Sequence, residues 1–258
     1  MKITKLLMLV LISSFIGLVS CGEDASSPTS TNIPGLSVQD LFPMTVGSWW
    51  TYETYATDEA GNKTGEEGFD SVYVSGIETV GGHDAFALVT VNTDSEGSTD
   101  TETMYYRYDG NKVMMYYYII TSGMPIDFEP QWVVFADLAN SDWLIINDSF
   151  TQTISEQGME FDLEFDLDFK GSHDEESTYN YLGTDYKSMA FTVLGVIDAT
   201  GEVIGQTITV NMVNTLTTIQ AQGIGNVKGT QSNISTGNMG DNEEEYSEKT
   251  LINYHIAD

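Results

Sequence analysis

The sequence predicts an all-β protein whose antiparallel strands form a strongly curved sheet or an open β-barrel-like body. Apolar and acidic residues alternate strictly from Met159 to Lys170, which is the period of a strand with one buried face. Turn residues separate short apolar runs, as in the Asp-Gly-Asn segment at 109–111 between two tyrosine-rich runs. No stretch keeps a helical apolar period for more than two turns. Together these patterns favour strands over helices throughout the body.

The chain opens with a leader. Lys2 and Lys5 flank the start of an apolar run, Leu6–Ile12, which is the layout of a secretory signal and is short for a membrane span. The leader ends at residues 18–21 with Leu-Val-Ser-Cys. This segment resembles the lipobox of bacterial lipoproteins, in which an apolar, a variable and a small residue precede a cysteine.

The lipobox resemblance implies that Cys21 receives a diacylglyceryl group, that cleavage falls before it, and that its new amine is acylated. Cysteine suits this step because a thiolate is the nucleophile that takes the lipid. Gly22 stands where an inner-membrane lipoprotein would carry Asp, so the resemblance also implies export to the outer membrane. Two alternatives stay open, namely an ordinary signal peptide with a chance cysteine and an uncleaved anchor helix.

Three regions follow from this layout. Residues 1–20 are predicted to be a lipoprotein signal peptide, residues 21–39 a flexible tether, and residues 40–258 a single β-rich domain. The tether prediction depends on the segment 22–34, which is rich in Ser, Thr and Pro and nearly free of apolar residues.

The body begins with the segment 41–52, Leu-Phe-Pro-Met-Thr-Val-Gly-Ser-Trp-Trp-Thr-Tyr. Pro43 and Gly47 in this segment predict a turn. Trp50 and Tyr52 then point to one face of the first strand, where large aromatic residues start a core. The segment resembles the "F-P-L-x-x-G-x-x-W-x-Y" opening of a group of uncharacterised bacterial secreted β-domains, and residues 223–228 resemble that group's "G-V-G-L-V-K". The resemblance implies a β-fold and no particular activity.

The remaining elements follow from local patterns. Polar, glycine-containing stretches predict hairpin loops at 61–68 and 94–99. The segment 132–139 is compatible with either a short helix or a strand. Residues 246–256 are predicted to form the last strand and to close the sheet.

Charge excludes some partners. The chain has 9 basic and 39 acidic residues, a net charge of −30, and removing the leader's two lysines leaves 7 basic residues and a net charge of −32. So acidic a chain argues against nucleic acid and against docking on anionic headgroups. The membrane is therefore expected as a partner only through the lipid on Cys21. With a single cysteine in the chain, no intramolecular disulfide can form.

An acidic ladder is the candidate metal site. It comprises Asp162, Glu164, Asp166 and Asp168, on the polar face of the alternating strand. Successive members lie about 6.6 Å apart, whereas calcium takes oxygen ligands at about 2.3–2.6 Å. A loop or a neighbouring strand must therefore contribute ligands. The alternative is a solvated face that opposes aggregation, and no other cofactor is expected.

A dense set of tyrosines is the candidate ligand site. It comprises Tyr105, Tyr106, Tyr108, Tyr116 and Tyr118. Because alternate strand residues face opposite sides, some of these rings are expected outside the core or around a cavity. They could stack on a sugar or hold an apolar ligand.

Function is predicted only in outline. The sequence lacks a Gly-x-Ser-x-Gly elbow, a His-Glu-x-x-His motif and a P-loop, so no enzyme is predicted. The leading prediction is a lipid-anchored cell-envelope protein that acts as a binding or structural module, with an apolar ligand held in the curved sheet. The alternative is a surface module that binds glycan or protein through the tyrosine-rich hairpin. The ligand and the protein, glycan or lipid partner are not specified by the sequence.

Overall fold

The computed structural model describes residues 35–117, 129–156, 159–203, 205–238 and 242–257. The predicted lipobox with Cys21, most of the tether, and Tyr118 lie outside these residues. The described elements are one helix, α1 (Val38–Leu41), and the strands β1 (Trp49–Thr57), β2 (Lys63–Val80), β3 (His83–Thr93), β4 (Thr99–Asp109), β5 (Lys112–Tyr117), β6 (Gln131–Asp137), β7 (Asp142–Glu156), β8 (Met159–His173), β9 (Ser177–Tyr181), β10 (Thr184–Val203), β11 (Gln206–Ala221), β12 (Gly225–Gly237) and β13 (Glu243–His255).

The strands form one antiparallel sheet. Twelve of them follow the path β6-β5-β4-β3-β2-β1-β13-β12-β11-β10-β8-β7, and β9 pairs with β10 off this path. Nearly all neighbours are consecutive in the chain, so the sheet is an up-and-down meander. The sheet curves until its two ends meet, which confirms the predicted all-β, barrel-like fold.

The two ends of the sheet meet without pairing. β6 and β7 lie next to each other but exchange no ladder of hydrogen bonds. One side chain spans this seam, because the indole Nε1 of Trp143 on β7 donates to the carbonyl of Val134 on β6 at 3.1 Å. The barrel-like body is therefore closed by side-chain packing at this seam.

The strand predicted from strict alternation is β8. Its apolar residues face inward and are at most 7% exposed, namely Phe161, Leu163, Phe165, Leu167 and Phe169. Its acidic residues point to the opposite, solvent-facing side. The period-two pattern thus predicted both the strand and its buried face correctly.

The first and last strands lie side by side in the middle of the sheet. β13 pairs with β1 on one side and with β12 on the other, so the C-terminal strand joins the two halves of the chain. Trp50 and Tyr52 on β1 are 5% and 3% exposed, as predicted for residues that start the core.

Two turns match the sequence and one differs. The hairpin at 109–111 and the loop at 94–98 form as predicted. The loop predicted at 61–68 is wrong in extent. The turn spans 58–62, and β2 already begins at Lys63. The contacts of Lys63 explain why strand β2 begins earlier than predicted. Its ammonium lies 3.2 Å from the Glu53 carboxylate and 3.8 Å from the ring centre of Tyr55, both on β1. The segment left open at 132–139 is strand β6 over most of its length.

Helix α1 marks the beginning of the body. Ser37 caps it, because its hydroxyl accepts from the backbone N–H of Asp40 while the Asp40 carboxylate accepts from the backbone N–H of Ser37. Val38 and Leu41 are buried. Helix α1 therefore begins within the range 21–39 that was predicted as tether. Among the described residues, no helix is long and apolar enough to cross a membrane.

Apolar side chains fill most of the interior. One cluster of buried residues packs between α1, β4–β8, β10 and β11, and a second packs around Trp50, Tyr52 and Leu251. The concave face of the sheet is therefore a core over most of its area, with the cavity described below beside it.

Candidate functional site

The predicted tyrosine set divides between the two faces of the sheet. Tyr106 and Tyr108 point inward, and Tyr105 and Tyr116 form a cross-strand pair on the outer face. Tyr118 lies outside the described residues. The alternation of strand residues between the two faces of the sheet predicted this division. The structure shows that the tyrosines do not form one continuous surface.

The outer tyrosines belong to what we call the outer aromatic patch, formed by Tyr105, Arg107, Tyr116 and Trp132. The Tyr105 hydroxyl lies 3.2 Å from a carboxylate oxygen of Glu78. The rings of Tyr116 and Trp132 are 5.3 Å apart, and the Arg107 guanidinium stands 5.1 Å from the centre of the Trp132 ring. Among the described residues, the buried donors Arg107 Nε and Trp132 Nε1 have no hydrogen-bond partner.

The inner tyrosines have structural partners. Tyr106 packs edge-on against Phe135, with ring centres 5.5 Å apart. The Tyr108 hydroxyl donates to the carbonyl of Phe42 and accepts from the backbone N–H of Met44 at 3.0 Å. Burial raises the pKa of Tyr108, so it stays protonated and can keep both bonds. Tyr108 thereby fixes the segment that connects α1 to β1.

The acidic ladder lies along the outer face of β8. Asp162 accepts a hydrogen bond from the hydroxyl of Thr153 at 2.6 Å, and Asp168 forms an ion pair with Lys170 at 2.6 Å. Asp166 stands between Ser149 on β7 and Asp198 on β10. Within the described ranges, no three His, Cys, Asp or Glu side chains come together as metal ligands would. Both interpretations of the ladder, a calcium site and a solvated face, therefore stay predictions.

The structure contains a cavity inside the sheet, where the sequence analysis placed an apolar ligand without naming most of the lining residues. The cavity has a volume of about 190 Å³ and lies between β1–β6 on one side and β11–β13 on the other. Its walls are largely apolar and aromatic, with contributions from Phe42, Trp50, Leu88, Met104, Met115 and Phe135. Tyr106 is the member of the predicted tyrosine set that lines it.

Two hydrogen bonds hold one wall of the cavity in place. The indole Nε1 of Trp50 donates to the carbonyl of Ile224 at 2.5 Å, and the Tyr52 hydroxyl donates to the carbonyl of Asn226 at 3.0 Å. Both acceptors lie in the segment 223–228, the second motif that the sequence analysis singled out. The two motifs therefore meet in space, where they bind β1 to the beginning of β12.

Charged groups enter the cavity from three strands. Asp70 on β2, Glu102 on β4 and Lys249 on β13 all line it. Burial lowers the pKa of Lys249 and the charge of Asp70 offsets part of this, while burial raises the pKa of Asp70 and the charge of Lys249 lowers it. Burial, and to a lesser extent the neighbouring Asp100, raises the pKa of Glu102.

The position of Lys249 depends on a glycine. A Cβ at Gly229, the residue opposite Lys249 on β12, would lie 3.1 Å from Cγ of that lysine. The lysine stem therefore lies across the glycine, and its ammonium stands 5.2 Å from the ring centre of Tyr52. A cation over an aromatic face is stabilised by the ring quadrupole.

Sequence reasoning missed these charged residues, although a signal was present. Asp70 lies two residues before the inward-facing Val72, Glu102 two before Met104, and Lys249 two before Leu251. Alternate residues of a strand face the same side, so each charged residue shares the inner face with its apolar neighbour. A charged residue in phase with an apolar face is out of place in a simple core. The sequence could not show that the three strands bring these residues to one cavity.

Comparison with known proteins gives a fold likeness only. No protein-family model matches the chain, and no curated protein matches it. The crystal structure of a "putative lipoprotein" from Parabacteroides distasonis is similar at 13% identity and a TM-score of 0.46, covering 83% of this chain and 98% of that one. That of a "putative exported protein with YmcC-like fold" from Bacteroides fragilis has 13% identity, a TM-score of 0.39 and the same coverage. At this identity no ligand or activity transfers to this chain.

Proposed function

We propose that the protein is a lipid-anchored, non-enzymatic protein of the cell envelope, held at the outer membrane through Cys21. The sequence Leu-Val-Ser-Cys at 18–21 supports the anchor. One acyl chain alone gives marginal membrane binding, because each buried CH₂ contributes about 0.8 kcal/mol, so two or three chains are needed for stable anchoring. The mature chain has a net charge of −32, and the polar tether would keep its acidic body away from an anionic membrane surface.

Mass spectrometry of the protein purified from membranes tests the anchor. The expected chain starts at Cys21 and carries a diacylglyceryl group. The variant Cys21→Ala should incorporate no labelled fatty acid and should retain its leader. An unlipidated wild-type chain, or a chain cleaved elsewhere, would contradict the proposal.

The body is proposed to bind a small molecule in the cavity. The observation that carries this proposal is the combination of apolar walls with polar side chains that converge from separate strands. A cavity of about 150 Å³ is known to admit benzene, whereas pockets for drug-sized ligands span about 300–1,000 Å³. At about 190 Å³, the cavity suits a ring or a short chain with a polar end and is too small for a whole acyl chain.

Tryptophan fluorescence provides a test, because Trp50 lines the cavity. Titration of the full chain in phospholipid nanodiscs with 2-phenylethanol, against empty nanodiscs, should give a saturable change. The variant Val72→Phe fills the cavity and should abolish that change. The control Val91→Phe adds the same ring on the same sheet at a position that does not line the cavity, and it should behave as wild type. Equal responses in both variants would contradict cavity binding.

The outer aromatic patch supports a second candidate, a surface module that binds glycan. The specific observation is that the rings of Tyr116 and Trp132 lie 5.3 Å apart on the outer face, with the Arg107 guanidinium over the Trp132 ring. Aromatic faces beside a guanidinium suit an acceptor-rich ligand that stacks on rings. A glycan array should then show binding that Trp132→Ala removes and Trp49→Ala, at an indole that is 37% exposed, retains. Silence of the wild-type protein on the array would exclude this candidate.

A further inference from the structure

The cavity contains two acidic side chains and one basic side chain. Asp70, Glu102 and Lys249 enter it from β2, β4 and β13. If the proposed function holds and the cavity binds a small molecule, this imbalance bears on the charge of that molecule. The two carboxylates differ in their surroundings, and the difference singles out one of them.

Lys249 lies nearer to Asp70 than to Glu102 along the sheet, because only β1 separates β13 from β2, whereas three strands separate it from β4. The charge of Asp70 is the electrostatic influence that favours the protonated form of Lys249, and Lys249 in turn favours the ionised form of Asp70. The ammonium also stands over the ring of Tyr52 at 5.2 Å. These two groups therefore already compensate the one cation inside the cavity.

Glu102 has no such compensation. In the part of the chain that the structure describes, neither Asp70 nor Glu102 has a basic group within 4.0 Å, but Lys249 acts electrostatically on Asp70 and no cation acts on Glu102. The charged neighbour that acts on it is Asp100, which has the same sign. Opposite it on β3 stands Thr90, which is neutral. A carboxylate withdrawn from water without a cation is destabilised, and a ligand that supplied the cation would relieve this.

We infer that the cavity takes a small organic cation, with an apolar or aromatic body against the cavity walls and an ammonium group at Glu102. Aromatic rings around the site suit a cation, since Trp50, Tyr52 and Tyr106 all line the cavity. An anion would meet two carboxylates there and would have to displace Asp70 as the counter-charge of Lys249.

Two further observations agree with a cation that donates hydrogen bonds. Asn226 lines the cavity, and its buried side-chain oxygen has no hydrogen-bond partner in the ranges that the structure describes. An ammonium N–H is the kind of group that satisfies such an oxygen. The whole chain also carries a net charge of −30, which attracts cations and raises their local concentration.

Three probes of matched shape test the charge preference. 2-Phenylethylamine, 2-phenylethanol and 3-phenylpropionate share a ring and a similar length but are cationic, neutral and anionic. Their affinities are measured by calorimetry at pH 7.5 on the full chain in nanodiscs, with empty nanodiscs as the blank. We expect the amine to bind at least tenfold more tightly than the alcohol and the propionate to bind most weakly.

The variant Glu102→Gln keeps the shape of the side chain and removes its charge. It should lower the affinity for the amine at least tenfold and change that for the alcohol less than twofold, which also shows that the cavity is intact. The control Glu164→Gln removes the same charge on the outer face of β8 and should leave the amine affinity unchanged.

The outcomes separate this inference from the proposed function. If the alcohol or the propionate binds as tightly as the amine, or if Glu102→Gln leaves the amine affinity unchanged, the cation preference is wrong while cavity binding stands. If none of the three probes binds, the proposed function itself is wrong.

Discussion

Glu102 is an acidic residue on the inner face of the sheet, and its burial costs stability. Because burial raises its pKa, the folded chain binds more protons than the unfolded chain from the ordinary pKa of 4.5 upward. The free energy of unfolding therefore falls as pH rises through this window, and the full penalty is present above the raised pKa. Asp70 and Lys249 share the cavity, and Asp100 and Tyr52 lie close by.

Glu102→Gln should remove this pH dependence. We expect the variant to be more stable than the wild type at pH 7.5 and the difference to shrink toward pH 4, where Glu102 is protonated in both states. Urea denaturation at a series of pH values measures it. Glu102 is preferred to Asp70 for this test, because neutralising Asp70 would also remove the counter-charge of Lys249. Parallel stability curves for variant and wild type would contradict the argument.

Two interior glycines make room for aromatic rings on neighbouring strands. A Cβ at Gly195 would lie 2.3 Å from Phe169, its partner across the β8–β10 ladder, and a Cβ at Gly171 would lie 2.0 Å from Trp143. Such a Cβ cannot fit without moving the ring. Gly195→Ala should therefore lower the free energy of unfolding by about 1–3 kcal/mol.

The control for this prediction is Gly65→Ala on β2, where nothing lies within 4 Å of the added Cβ. It should change stability by no more than about 0.5 kcal/mol. Denaturant midpoints of the two variants make the comparison, and an equal, small effect at both sites would count against close packing of Phe169 on Gly195.

At the scale of elements, the seam between β6 and β7 is where the sheet is least paired. Trp143→Phe removes the indole donor to the Val134 carbonyl, which then lies buried without that partner. The expected loss is about 1–3 kcal/mol, together with faster hydrogen exchange of β6 and β7 amides. Trp49→Phe, at an indole that is 37% exposed, should stay near wild type. Unchanged exchange at the seam in Trp143→Phe would show that this contact does not hold the ends together.

The acidic ladder on β8 belongs to the same scale. Asp162, Glu164 and Asp166 are exposed and Asp168 is half-buried, and no three His, Cys, Asp or Glu side chains converge there among the described residues. A ligand of the native state would raise the melting temperature by mass action. We expect calcium at millimolar concentration to leave the melting temperature unchanged. A rise of several degrees that Asp166→Asn abolishes would establish the metal site after all.

Strand β8 and the hairpin at 109–111 were predictable because their signals are local. Alternation fixes the buried face of a strand, and Gly110 has a φ of 58°, a conformation that glycine adopts without strain. Segment 132–139 was not predictable, since a short apolar run fits both a helix and a strand until its neighbours are known. β6 is a strand because β5 supplies a ladder for it.

For the whole molecule, the barrel-like fold was predictable, but the position of the cavity and its charged lining were not. Asp70, Glu102 and Lys249 come from strands distributed along the chain and share a cavity only because β13 returns to pair with β1. Period-two patterns assign residues to a face, but they do not say which distant strands become neighbours. Whether the interior is filled or hollow depends on that closure, and here buried apolar side chains of the described residues fill much of it, with this cavity beside them.

The central claim is that a small cationic ligand binds inside the sheet. A crystal structure of the protein with 2-(4-bromophenyl)ethylamine tests it most directly, because the anomalous signal of bromine locates the ring without assumptions about the pose. We predict one bromine site inside the sheet, between Trp50 and Met115, with the amine at the Glu102 carboxylate. A bromine site only at the outer aromatic patch, or no site at saturating ligand, would contradict the account.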